Sequence, residues 1–185
     1  MNLAIFASGN GSNFAALVAA VKAKKIKAKR VVLVCDQPGA FVLKRAQTAK
    51  VVAILVKRED FSSRVDFESA IIQRLKYYKI DLIALAGFMR MLSPAFVKLY
   101  HKRIINIHPA LLPAFKGAHA IKDALAAKVR MTGVTVHFVD SQMDHGPVIL
   151  QQQIKIKPTD TLSSLEKRIH VLEHKLYLAA INKII

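Results

Sequence analysis

The feature that most constrains this chain is an alternation of short, unbroken apolar runs with amphipathic stretches. The runs cover residues 2–7, 30–35, 51–56, 82–86 and 104–107, with Asn2 and Arg30 at their edges and Asn106 the one polar residue inside them. A half-solvated strand would interleave polar residues, so unbroken runs imply strands buried on both faces, as in a parallel sheet covered by helices. The intervening stretches predict helices over 13–23, 40–49, 64–78 and 94–100. In the last of these, Ser93 supplies a cap and Pro94 stands at the first helical position, where its missing N–H does no harm. Strand–helix alternation predicts right-handed βαβ crossovers and a doubly wound α/β fold.

After His108 the pattern changes. Residues 108–117 contain Pro109 and Pro113 and read as an ordered loop, followed by a short helix near 121–128. Two longer strands, 131–139 and 148–156, flank the turn-forming Asp140-Ser141-Gln142-Met143-Asp144-His145-Gly146-Pro147. Asp160 or Thr161 then caps a final helix running close to Ile185. The expectation is a single domain over residues 1–185, with a mostly parallel sheet of about seven strands, a C-terminal antiparallel strand pair and a last helix. No repeat, linker or composition break divides it.

Composition narrows the class. Over half the residues are apolar, ample for a large core. No apolar run approaches the roughly 18 residues of a membrane-spanning helix. The first residues read as a buried strand rather than a signal peptide, and Cys35, the only cysteine, leaves no intrachain disulfide. These points favour a reducing, cytoplasmic setting. The 29 Lys plus Arg against 12 Asp plus Glu give a net charge of +17, a field that attracts polyanions: nucleic acid, phosphorylated substrates or polyglutamated cofactors. The densest stretch, residues 22–30, reads as a solvated loop. Lysines without interleaved exposed aromatics do not indicate nucleic-acid binding.

Three segments carry chemistry. Ser8-Gly9-Asn10-Gly11-Ser12-Asn13 joins the first strand to the first helix, where glycines permit a tight turn and free helix N–H groups favour an anion. It lacks the third glycine and the ribose-binding acid of a dinucleotide fingerprint, with Asp36 reading as a turn residue before Gln37-Pro38-Gly39. It also lacks the Gly-Lys-Ser/Thr of a triphosphate loop. His170-Val171-Leu172-Glu173-His174 matches a zinc-peptidase pattern, but no acidic residue follows His174 to complete a ligand set. No metal is expected. Asn106 and His108 lie two apart on a strand and so project to the same face, at a strand end where ligands of open α/β sheets bind. His101, His119 and His137 show no persuasive partners.

Four segments in order, Ser8–Asn13, Ala86–Leu92, Asn106-Ile107-His108-Pro109, and Gly133–Val139 through Asp144-His145-Gly146-Pro147, resemble the phosphoribosylglycinamide formyltransferases, a folate-dependent family of purine synthesis. The similarity spans nearly the whole chain. It implies transfer of a formyl group from 10-formyltetrahydrofolate to the amine of phosphoribosylglycinamide, without a metal. It further implies that Asn106, His108 and Asp144 are catalytic. Gly11, Ser12 and Asn13 would hold the substrate phosphate, and Gly87 and Glu173 its amine or ribose. Met89, Arg90, Met91 and Leu92 would line the folate pocket, with Val139 and Asp140 closing it, Asn106 touching the cofactor and Arg64 meeting a glutamate carboxylate. The N-terminal half would bind phosphate and the C-terminal half would bind folate and catalyse. His170 stands where relatives carry other polar residues.

Two other readings compete. A formyltetrahydrofolate hydrolase or a methionyl-tRNA formyltransferase shares the Asn-His-Asp core, but each is expected to carry a further domain. A non-catalytic basic module holding nucleotide or RNA would explain the charge but not the catalytic spacing.

Overall fold

The computed structural model describes residues 1–185, which divide into two compact units, Met1–Ile105 and Asn106–Ile185. In the first unit the apolar runs form β1 (Asn2–Phe6), β2 (Arg30–Cys35), β3 (Val52–Leu55) and β4 (Leu82–Leu85). All their pairings are parallel: β1 with β2 from Asn2↔Arg30, β1 with β4 from Leu3↔Leu82, and β2 with β3 from Val32↔Val52. β5 (Ile104–His108) begins in this unit and ends in the next. Across the chain the strand order is β3-β2-β1-β4-β5-β6-β7 in one sheet, which is the expected fold class.

Burial explains why the strands needed unbroken apolar runs. Leu3, Ala4, Ile5 and Phe6 of β1 and Val32 to Cys35 of β2 are all inaccessible, and each large side chain so buried contributes about 1.5–3 kcal/mol. β3 departs from the expectation of two-faced burial: it is an edge strand, and Val52 is 50% exposed. The helices of this unit are α1 (Ser12–Lys22), α2 (Phe41–Ala49), α3 (Arg64–Tyr77) and α4 (Pro94–Leu99). Phe6 meets the rings of Phe88 and Phe96 edge to face, with centroids 5.2 and 6.4 Å away, joining β1 to the segment after β4 and to α4.

The second unit contains the end of β5, then α5 (Ala120–Ala126), β6 (Met131–Phe138), β7 (Val148–Lys155) and α6 (Leu162–Ile184). β6 and β7 form the expected antiparallel pair, and α6 packs on both. Thr161 caps α6 through a reciprocal pair of bonds with Ser164. The strand register slips between Val136↔Leu150 and His137↔Val148. The extra residue is Ile149, and a bulge of this kind re-aims the side chains beside it. The turn from β6 to β7 depends on Gly146, because a Cβ there would stand 1.9 Å from the Phe138 carbonyl oxygen.

Candidate active site

The second unit builds a cluster around one carboxylate. Asn106 and His108 project from the same side of β5, and the 140–147 turn brings Asp144 to both. Asn106 Nδ2 lies 3.3 Å from Asp144 Oδ1, and His108 Nδ1 lies 3.4 Å from Oδ2. The Gly117 N–H donates to Oδ2 at 2.9 Å. The residues expected to act together are therefore side by side.

The cluster also contains His137, which its sequence context gave no reason to single out. It is 2% exposed, and its Nε2 lies 3.3 Å from Asn106 Nδ2 and 3.7 Å from Asp144 Oδ1. β6 is buried on both faces from Thr132 to His137, and the β6–β7 bulge and the turn explain why Asp144 meets the ring. The ring tautomers follow from their fixed partners. His137 Nδ1 faces the Phe138 carbonyl at 2.8 Å, and His108 Nε2 faces the Phe115 carbonyl at 2.7 Å. A carbonyl only accepts, so each of these nitrogens carries a proton. His137 Nε2 is then free to accept from Asn106, whereas His108 Nδ1 attracts Asp144 only when it is protonated as well.

Loop 109–117 supplies the Phe115 carbonyl and the Gly117 N–H, and it is itself fixed by β6 and β7. Thr135 Oγ1 donates to the Ala110 carbonyl at 2.7 Å and accepts the Leu112 N–H at 3.1 Å. Gln151 Nε2 donates to the Leu112 carbonyl at 3.0 Å. Burial alone would raise the Asp144 carboxyl; the His137 ring when doubly protonated, the Gly117 N–H and the charged His108 ring together hold it below its ordinary value. Asp140 organises the same turn, accepting the Gln142 N–H and the His145 ring at 2.8 Å each. On α6, Glu173 is buried and pairs with His170 at 2.8 Å. That bond, working against desolvation, raises the His170 ring above its usual value. His170 is thus the partner of Glu173, and no group of three or more His, Cys, Asp or Glu side chains is arranged to hold a metal ion.

The first unit carries the glycine loop. Gly11 stands at the N-cap of α1 with φ +74°, and no side chain makes a capping hydrogen bond there. A Cβ at Gly11 would lie 2.3 Å from Val42 Cγ2, so α2 also demands glycine here. α2 fastens the loop further, since Arg45 donates to the Asn10 carbonyl at 2.8 Å and to Asn10 Oδ1 at 2.9 Å. Gly87, with φ +81°, adjoins this loop: the Ser8 N–H donates to its carbonyl, and Ser8 Oγ accepts the Met89 N–H.

Two arginines expected at the folate pocket are held by carboxylates. Arg90 Nε meets Asp36 Oδ2 at 2.5 Å. Asp36 is only 3% exposed, which corrects its reading as a turn residue: it lies directly after β2, beside the cavity wall formed with Lys57, Arg58 and Arg90. Arg64 Nε meets Glu68 Oε1 at 3.1 Å, and its Nη2 donates to the Met91 carbonyl at 2.5 Å. Buried Glu68 carried no signal in sequence, where it reads as one more polar helix residue.

One unit carries a glycine-rich loop at a helix start and the other an Asn-His-Asp cluster, and comparison with known proteins names the family. Residues 1–181 match the formyl transferase family, and the chain belongs to that family. The phosphoribosylglycinamide formyltransferase of Bacillus subtilis (strain 168) is 44% identical over 182 residues, 98% of this chain and 93% of that protein. The crystal structure of glycinamide ribonucleotide transformylase 1 from Geobacillus kaustophilus superposes with a TM-score of 0.94 at 48% identity, covering 97% of this chain and 96% of the other. The trifunctional purine biosynthetic protein adenosine-3 of Gallus gallus is 40% identical over 98% of this chain, which corresponds to 18% of that longer protein.

Proposed function

We propose that this protein transfers the formyl group of 10-formyltetrahydrofolate to the amine of phosphoribosylglycinamide, giving the N-formyl product and tetrahydrofolate in purine synthesis. The observation that carries the reading is the Asn106–His108–Asp144 cluster, in a chain whose relatives over nearly its full length bear the name of that transferase.

The chemistry needs an acceptor amine, stabilisation of a tetrahedral oxyanion and movement of one proton. The amine nitrogen attacks the formyl carbon and the carbonyl electron pair moves onto oxygen. The Asn106 N–H groups and the charge of protonated His108 stabilise that oxygen, a hydrogen-bond donor there contributing about 3 kcal/mol to the transition state. The two Asn106 N–H groups rest on long contacts of 3.3 Å to Asp144 and His137, which a stronger acceptor can displace. Asp144 favours the charged form of His108 and relays the proton from the attacking amine to the departing folate nitrogen as the C–N bond breaks. No covalent bond to the enzyme is required.

The remaining roles are those the family resemblance implies. Gly11, Ser12 and Asn13 hold the phosphate at the uncapped helix start, with Gly87 and Glu173 at the amine or ribose. Met89 to Leu92, Arg64, Val139 and Asp140 bind the folate. The setting is cytoplasmic, and no helix is long and apolar enough to cross a membrane. The +17 charge serves anionic small molecules, with no nucleic acid involved.

The test follows absorbance of the formyl donor with and without phosphoribosylglycinamide. Consumption that depends on the amine supports the transferase. Equal consumption without it would make this a hydrolase, and binding of RNA with no turnover would favour a binding module.

A further inference from the structure

The segment from Gly87 to Ser93 is held at its backbone yet presents its side chains. Met89 is 72% exposed and Met91 is also exposed, an arrangement suited to covering an apolar ligand. Its backbone is fixed at three points. Ser8 Oγ accepts the Met89 N–H at 3.0 Å, Arg64 Nη2 donates to the Met91 carbonyl at 2.5 Å, and Ser93 is bound by Glu68.

Glu68 governs two of those three points. It is 5% exposed on α3, and both carboxylate oxygens are used. Oε1 accepts the Ser93 N–H at 2.8 Å and Arg64 Nε at 3.1 Å, while Oε2 accepts the Ser93 hydroxyl. Ser93 Oγ in turn accepts the Phe96 N–H at 3.1 Å and so caps α4. One carboxylate therefore ties α3, the start of α4 and the Arg64 guanidinium together. A buried carboxylate is tolerated only when charge-assisted donors surround it, and these donors are all drawn from the segment's own anchors. Arg64 keeps Nη1 for a ligand only while Nε and Nη2 stay committed to Glu68 and Met91.

We propose that Glu68 is a positioning residue for binding of the formyl donor: through Arg64 and Ser93 it fixes the 89–92 segment in its ligand-ready conformation. The proposal rests on the reading that Arg64 and this segment bind the donor. It separates Glu68 from an ordinary helix cap, which would stabilise the fold without discriminating between the two substrates.

The test measures kcat and both KM values for the unaltered protein, Glu68→Ala, Glu68→Gln and Arg64→Ala, with thermal unfolding alongside. Loss of the charged acceptor raises KM for the donor about tenfold in Glu68→Ala, with kcat and KM for the amine within about twofold. Glu68→Gln, which keeps one acceptor and the shape, falls between. The Glu68→Ala/Arg64→Ala double variant shows a donor KM close to that of Arg64→Ala alone, because both act through one network. A lower Tm with unchanged donor KM, or equal rises in both KM values, overturns the proposal; should the alanine variant fail to fold, Glu68→Gln decides the same question. Absence of amine-dependent formyl transfer by the unaltered protein would sink the functional reading and the proposal together, whereas the preceding outcomes sink the proposal alone.

Discussion

The two units use buried carboxylates in opposite ways. In Met1–Ile105, Asp36 and Glu68 are paired with arginines, whose charge is constant at any working pH. In Asn106–Ile185, Asp144 faces His108 and His137, and Glu173 faces His170, imidazole partners able to take up and release a proton. Permanent pairs suit a scaffold that must present the same surface throughout a reaction. Titratable pairs suit a site where a proton has to move. The glycine loop and the Met89–Leu92 segment belong to the first kind, and the Asn106–His108–Asp144 cluster belongs to the second.

The largest expected effect tests that division directly. Replacing His108 or Asp144 by Ala should lower kcat by about 10²–10⁴-fold, the combined reach of acid–base and oxyanion terms, while both substrates still bind and the fold survives by circular dichroism. Turnover near that of the unaltered protein in either variant would remove the cluster from the chemistry.

A smaller effect concerns acid stability. Because the folded Asp144 carboxyl is held below its ordinary value, its contribution is complete above the unfolded value of about 3.9 and is lost as pH falls through the lower folded value. Unfolding followed from pH 5 down to pH 2.5 should therefore show a steeper acid decline for the unaltered protein than for Asp144→Asn. Parallel curves would mean that the histidines and the Gly117 N–H do not hold the carboxylate as charged.

The smallest effect is at the half-exposed His170. Its folded value is raised by Glu173, so this stabilisation is complete below about pH 6.5 and is lost as pH rises through the higher folded value. The Tm advantage over Glu173→Gln should narrow between pH 6 and pH 9. A constant difference across that range would show that the pair is held by shape and not by charge.

Much of the architecture was legible from period and punctuation alone. Unbroken apolar runs gave the parallel strands, Ser93-Pro94 marked the start of α4, and the separation of two residues placed Asn106 and His108 on one face. Helix limits agreed to within a residue or two because caps and prolines act locally. The glycine loop was readable for the same reason, since Gly11 needs its left-handed backbone whatever surrounds it.

What the sequence could not supply was the pairing of side chains distant along the chain. Nothing near Asp36 announces Arg90, 54 residues later, and nothing in helix α3 marks Glu68 as the anchor of Ser93. His137 showed no persuasive partner in sequence until the slip at Ile149 and the turn closed by Gly146 carried Asp144 to it. Local propensity fixes which elements form and which faces they bury. Which charges share a buried space depends on how strands and turns are arranged in three dimensions, and only the folded chain decides that.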